Sequence, residues 1–152
     1  DAVISSSIIC EISNFAHTKG MNLSSYLEKI HDTFGYFKEE LFSITYKGVE
    51  GKKKINNIIK DYILKPPKTI FSKKIKTFIN YNESSNSNII MSKSNVLQFI
   101  TNENYILTLR PSGTEPKIKF YFSVNCTNKS NNIKKINYLL DNEIDKIKKK
   151  YE

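Results

Sequence analysis

The sequence predicts an α+β fold, an antiparallel sheet of four strands with helices packed on one face. Three observations carry that expectation. Residues 117–124 alternate strictly: Ile118, Phe120, Phe122 and Val124 face one way, and Lys117, Lys119, Tyr121 and Ser123 the other, the period of a strand with one buried face. Residues 130–150 instead place Ile133, Ile136, Leu140, Ile144 and Ile147 at helical spacing among lysines. The segments between 50 and 150 run helix, strands, helix, the order of an α+β layer.

Taken in chain order, Ile4, Ile8, Ile12 and Phe15 recur every three or four residues, and Lys19-Gly20 supplies a helix stop. Asn22 is suited to cap a second helix, whose stripe is Leu23, Leu27, Ile30 and Phe34 and which ends at Gly35. Residues 36–47 interleave aromatic and polar groups and read as a strand. Two helices and one strand make a poor core, so residues 1–48 read as the end of a larger domain. The net charge steps there, from four lysines against six acidic groups in 1–48 to 20 basic against nine acidic groups in 49–152. Lys47-Gly48-Val49-Glu50-Gly51, with two glycines suited to a hinge, marks the expected boundary.

Beyond it, Ile55, Ile58, Ile59 and Tyr62 make a helix over 50–63, stopped by Lys65-Pro66-Pro67, since proline cannot donate to a continuing helix. Strands are expected near 74–81, 96–101, 104–110 and 117–124, with a polar loop at 82–88. No internal repeat is visible.

Composition narrows the function. The 152 residues carry 24 basic and 15 acidic side chains, a net charge of +9, and every basic residue except Arg110 is lysine. Abundant Lys, Asn and Ile fit an AT-rich coding sequence, so much of the charge reads as codon bias. At 39% hydrophobic the chain can build a core. It has no apolar run of membrane-spanning length and no signal-peptide pattern, and a cytoplasmic location is expected. Cys10 and Cys126 match no metal spacing and are expected to be free and buried. His17 and His31 fall in the last turns of their helices, where a cation suits the dipole better than catalysis does. The charge raises nucleic acid as a partner class, but Lys52-Lys53-Lys54 and Lys146, Lys148, Lys149 and Lys150 read as solvated helix faces. A basic nucleic-acid-binding module stays as the alternative reading.

The segment with chemistry in it is Arg110-Pro111-Ser112-Gly113-Thr114-Glu115-Pro116, between two strands. Arg110 offers a planar fork that matches phosphate oxygens. Ser112 and Thr114 add hydroxyl donors, Gly113 lets backbone N–H groups approach an anion, and each proline holds the residue before it extended. A chain that replaces every other arginine by lysine has kept its guanidinium here. Alternation puts Arg110 opposite Leu107 and Leu109, away from the core.

Thr108-Leu109-Arg110-Pro111-Ser112-Gly113-Thr114-Glu115-Pro116-Lys117-Ile118-Lys119 resembles the C-terminal phosphate-binding loop of the α-D-phosphohexomutase superfamily, the phosphoglucomutases, phosphomannomutases and their phosphopentomutase relatives. Asp1-Ala2-Val3-Ile4-Ser5-Ser6 and the stretch from Leu23 to Gly35-Tyr36 are similar to helices late in the family's third domain. Ser92-Lys93-Ser94-Asn95 is nearest the phosphoglucomutase-2/phosphopentomutase branch.

The resemblance implies that 1–48 ends the third domain and that 49–152 is the fourth, a TATA-box-binding-protein-like domain that grips the phosphate not being transferred. Arg110, Ser112, Gly113 and Thr114 would hold that phosphate, with Lys119 or its same-face neighbour Lys117 assisting, while Glu115 and Pro116 shape the turn. It implies glucose 1- or 6-phosphate or pentose phosphates as ligands, and Mg²⁺ and a sugar 1,6-bisphosphate activator for the intact enzyme. The catalytic phosphoserine, the aspartate-rich metal loop and the sugar-reading loop would lie on upstream domains. No residue of this chain is expected to hold metal or to catalyse, and the chain alone is expected to be inactive.

Overall fold

A computed structural model describes residues 2–83, 93–126 and 129–152, except the side chains of Val49 and residues 129–132. Its elements are α1 (Ala2–Thr18), α2 (Leu23–Phe34), β1 (Tyr36–Thr45), α3 (Gly48–Leu64), β2 (Thr69–Ile70), β3 (Lys73–Asn80), β4 (Leu97–Thr101), β5 (Ile106–Pro111), β6 (Lys117–Cys126) and α4 (Lys129–Tyr151). Most of the polar loop expected at 82–88, and Ser92 of the Ser92-Lys93-Ser94-Asn95 motif, lie outside the described residues. Contacts divide the chain into two units, one of Asp1–Phe37 with Cys126–Asn132, the other of Lys38–Asn125 with Ile133–Glu152.

In the first unit the sequence signals for helix ends act as expected. The Asn22 side chain accepts from the Ser25 N–H at 2.9 Å, capping α2. Gly20 (φ 70°) follows α1, with its N–H on the His17 carbonyl, and Gly35 (φ 95°) ends α2 on the His31 carbonyl. The apolar stripes nevertheless bury little within the unit. Ala16 is the one buried residue of α1 and α2 has none, while Ile8 and Leu27 are each 51% exposed. Cys10 is exposed on α1 and Cys126 is half-buried; neither forms a disulfide, as expected, but neither is buried.

The second unit holds the sheet, in the order β1-β6-β5-β4-β3-β2, with antiparallel pairing at β2–β3, β3–β4, β4–β5 and β5–β6. The expected count of four strands is corrected to six. The strand expected at 36–47, assigned by sequence to the domain end formed by residues 1–48, is β1, which adds to the sheet as the edge strand beside β6. β2 is two residues long, too short for a periodic signal, and exists because Thr69 and Ile70 pair with Lys74 and Lys73 across the turn at Phe71-Ser72.

One face of the sheet is the core. Leu97, Phe99, Leu107, Leu109, Ile118, Phe120, Phe122 and Val124 are 0–1% exposed, as their alternation requires. Ile55, Ile58, Ile59 and Tyr62 of α3 and Ile136, Leu140 and Ile147 of α4 are buried with them, and Tyr62 lies 5.7 Å from Phe99 between ring centroids. Each fully buried aliphatic or aromatic side chain contributes about 1.5–3 kcal/mol, so this layer dominates the unit's stability. α3 begins at Gly48 (φ 67°) and encloses Gly51, which a Cβ would bring to 2.8 Å from the Tyr46 Cβ and 3.1 Å from the Pro116 Cβ. Lys65-Pro66-Pro67 ends α3 at Leu64.

Candidate functional site

The Arg110–Pro116 segment connects β5 to β6, and their register decides which side chains share a face. Leu109 pairs with Phe120 on the buried side, while Thr108 pairs with Tyr121 and Arg110 with Lys119 on the other. Arg110 is exposed and Lys119 half-buried. Directly opposed residues have Cβ atoms about 4.5–5.5 Å apart, and like charges so placed are destabilising. Lys117 stands two residues before Lys119 and so adds a third cation to the same side of β6. Among the described residues none forms an ion pair with Arg110, Lys117 or Lys119.

The loop is closed by its own backbone. The Ser112 N–H donates to the Lys117 carbonyl at 2.7 Å and the Lys117 N–H to the Glu115 carbonyl at 2.8 Å. The Ser112 hydroxyl oxygen accepts from the Glu115 N–H at 3.3 Å, which leaves its hydrogen available to a ligand. The Tyr46 N–H donates to the Pro116 carbonyl at 2.9 Å, tying the turn to the residues just before α3. Gly51 makes room for that approach, because any side chain there would meet Pro116.

Gly113 and Thr114 are exposed at the tip of the turn. A Cβ on Gly113 would have nothing within 4 Å, and Gly113 is not among the positive-φ glycines. Neither internal packing nor backbone handedness therefore requires glycine at 113. What its missing side chain leaves open is the outer surface of the turn.

The structure thus brings Arg110, Lys117 and Lys119 to one side of the β5–β6 pair, with Ser112, Gly113 and Thr114 in the turn between them. It also contains a neighbouring feature that the sequence reading missed. The same side of β4, β5 and β6 and the edge strand β1 line an open cleft of about 400 Å³ that includes Glu39, Glu40, Gln98, Thr108 and Tyr121. Alternation along β5 and β6 already put Thr108 and Tyr121 on the face of Arg110 and Lys119. Glu39 and Glu40 carried no such signal, because only strand order brings β1 beside β6.

Among the described residues no group of three or more His, Cys, Asp or Glu side chains is placed to hold a metal ion. No described helix is long and apolar enough to cross a membrane.

No protein-family model matches the chain. Curated relatives do. Phosphoglucomutases of Staphylococcus aureus strains bovine RF122 / ET3-1 and USA300 are each 38% identical to it over 148 residues, and that of strain N315 is 37% identical over 148 residues. Each alignment covers 92% of this chain but 27% of the relative's length.

Proposed function

From its homology to a portion of phosphoglucomutase, a sugar-phosphate mutase, we propose that this chain is the phosphate-clamping part of such an enzyme. In this reading residues 1–48 end the third domain and residues 49–152 form the fourth. Arg110, Ser112, Gly113, Thr114 and Lys119, with Lys117 beside them, hold the phosphate of a hexose or pentose phosphate that is not being transferred.

The observation that carries the reading is the direct pairing of Arg110 with Lys119 on the side of the sheet opposite its core. Opposed cations cost stability in the free protein, and a bound dianion would turn that repulsion into attraction. The guanidinium supplies two parallel donors and the lysines supply point charge. The Ser112 hydroxyl and the open backbone at Gly113 complete a cradle that a single turn holds together.

In phosphoryl transfer the protein chiefly positions groups and stabilises charge, so a grip on the remote phosphate serves orientation at the reacting end. The described residues do not fit a metal site, and in this reading the Mg²⁺ of the intact enzyme is held by other domains. Mutase turnover in this reading needs the upstream part to which the relatives' remaining length corresponds.

Titration of the isotope-labelled chain with glucose 1-phosphate, followed by amide NMR, tests the proposal. Shifts centred on residues 110–119 are expected, with millimolar-range affinity (about −4 kcal/mol) because one side of the ligand stays open. Arg110→Ala should weaken binding at least about tenfold, a loss of ~1.4 kcal/mol, and Arg110→Lys should recover only part of it. Binding that is indifferent to both substitutions would sink the clamp.

A further inference from the structure

The cleft beside the clamp is built for hydroxyl groups. The Tyr81 hydroxyl donates to Gln98 Oε1 at 3.2 Å, and Gln98 Nε2 donates to Thr108 Oγ1 at 3.2 Å. This chain of bonds runs across β4 and β5 on the side facing away from the core. Because Thr108 Oγ1 accepts from Gln98, its own hydrogen is left to donate into the cleft. Glu39 and Glu40 on β1 supply acceptors along the cleft lining, and Glu40 also pairs with Lys38 at 3.5 Å. Leu41 and Ile106 add apolar surface. Donor, acceptors and an apolar patch in about 400 Å³ suit a small polyol, whose hydroxyls bond while its C–H face packs.

Strand register sets the cleft lining next to the cationic row. Thr108 and Tyr121 form the cross-strand pair next to Arg110 and Lys119 on the same side. Two residues along a strand advance about 7 Å, a step that a phosphorylated monosaccharide bridges. The charges also give the surface a direction: carboxylates at the cleft end repel a phosphate, and cations at the loop end attract it.

We infer that this cleft seats the sugar of the phosphorylated ligand, with Thr108 and Glu39 reading its hydroxyls while Arg110 and Lys119 hold its phosphate. The inference rests on the clamp reading above and extends it from phosphate to the polyol attached to it. Thr108 and Glu39 are binding residues here and take no part in bond making.

Parallel NMR titrations of the full chain with inorganic phosphate and with glucose 6-phosphate separate the two readings. Glucose 6-phosphate should bind at least about fivefold more tightly than inorganic phosphate, with shifts extending from 110–119 into 106–108, 121–123 and 39–41. Thr108→Val and Glu39→Gln should each erase that preference while keeping inorganic phosphate within about twofold, with unchanged amide dispersion reporting the fold. Equal affinities for the two ligands, or a preference that survives both substitutions, would overturn the sugar subsite and leave the clamp standing. No binding of either ligand would overturn the clamp and the subsite together.

Discussion

Gly51 and Gly113 are the same residue type with opposite reasons for being there. At Gly51 the space is taken: a methyl group would lie 2.8 Å from the Tyr46 Cβ and 3.2 Å from the Tyr46 carbonyl carbon, atoms that cannot swing aside. Gly51→Ala should therefore lower stability, because overpacking costs about 1–3 kcal/mol against a helix-propensity gain of ~1 kcal/mol. At Gly113 the space is empty, so Gly113→Ala should leave thermal unfolding nearly unchanged, within about 0.5 kcal/mol, while weakening phosphate binding. Melting curves and phosphate titrations of the two variants check this crossed pattern. In the sequence Gly113 reads as room for an anion beside the turn, the expectation on which the proposed clamp rests. Sequence alone gave no means of seeing the Tyr46–Pro116 contact, so the glycines at 48 and 51 read as a hinge when both lie in α3.

At the scale of elements, α4 is tied to α3 by a polar hub. Asp61 Oδ2 accepts from Lys150 Nζ at 2.6 Å and from the Tyr151 hydroxyl at 3.0 Å, and the Tyr46 hydroxyl donates to the Tyr151 carbonyl. Hydrogen bonds from Lys150 and then Tyr151 hold the Asp61 carboxyl below its ordinary range. A depressed carboxylate stabilises the fold above its unfolded pKa and loses that contribution as pH falls through the folded value. Stability should accordingly drop below about pH 4 in the wild type, and Asp61→Asn should be less stable at neutral pH with a flatter acid limb. Asp61 is about one-third exposed and Lys150 more than half, so solvent screening limits the pair's share to roughly 0.3–1 kcal/mol, readable by urea unfolding at pH 7 and pH 3.

The β2–β3 turn shows tertiary contacts choosing a local conformation. Phe71 (φ 51°) and Ser72 (φ 58°) both occupy the left-handed region, where hairpins usually place Asn or Gly. They are held there because the Phe71 ring is buried 5.9 Å from Phe122 and its N–H donates to Glu143, a buried carboxylate on α4, at 2.9 Å. Helical spacing showed the apolar stripe of α4, but nothing in it marked Glu143 as facing the core.

For the whole molecule, the +9 charge separates into structural cover and a small informative set. The lysine blocks of α3 and α4 are exposed and largely occupied. Lys53 pairs with Glu50, Lys146 with Glu143 and Lys150 with Asp61, while Lys54 and Lys148 stand over the rings of Tyr46 and Phe42. A single-stranded oligonucleotide should therefore bind only weakly, lose that binding between about 50 and 200 mM salt, and ignore Arg110→Ala. Fluorescence anisotropy would show this, and tight, salt-resistant binding would instead favour the nucleic-acid reading.

By itself the sequence determined the helices, the long strands, the buried side of the sheet and the loop that carries Arg110. Each of these depends on periodicity, caps or turn residues within a few positions of one another. Only the tertiary structure decided the six-strand order, the pairing of Arg110 with Lys119, and the cleft that sets Glu39 of β1 beside Thr108 of β5. These depend on contacts between distant segments, where register and burial, not local preference, fix which side chains meet.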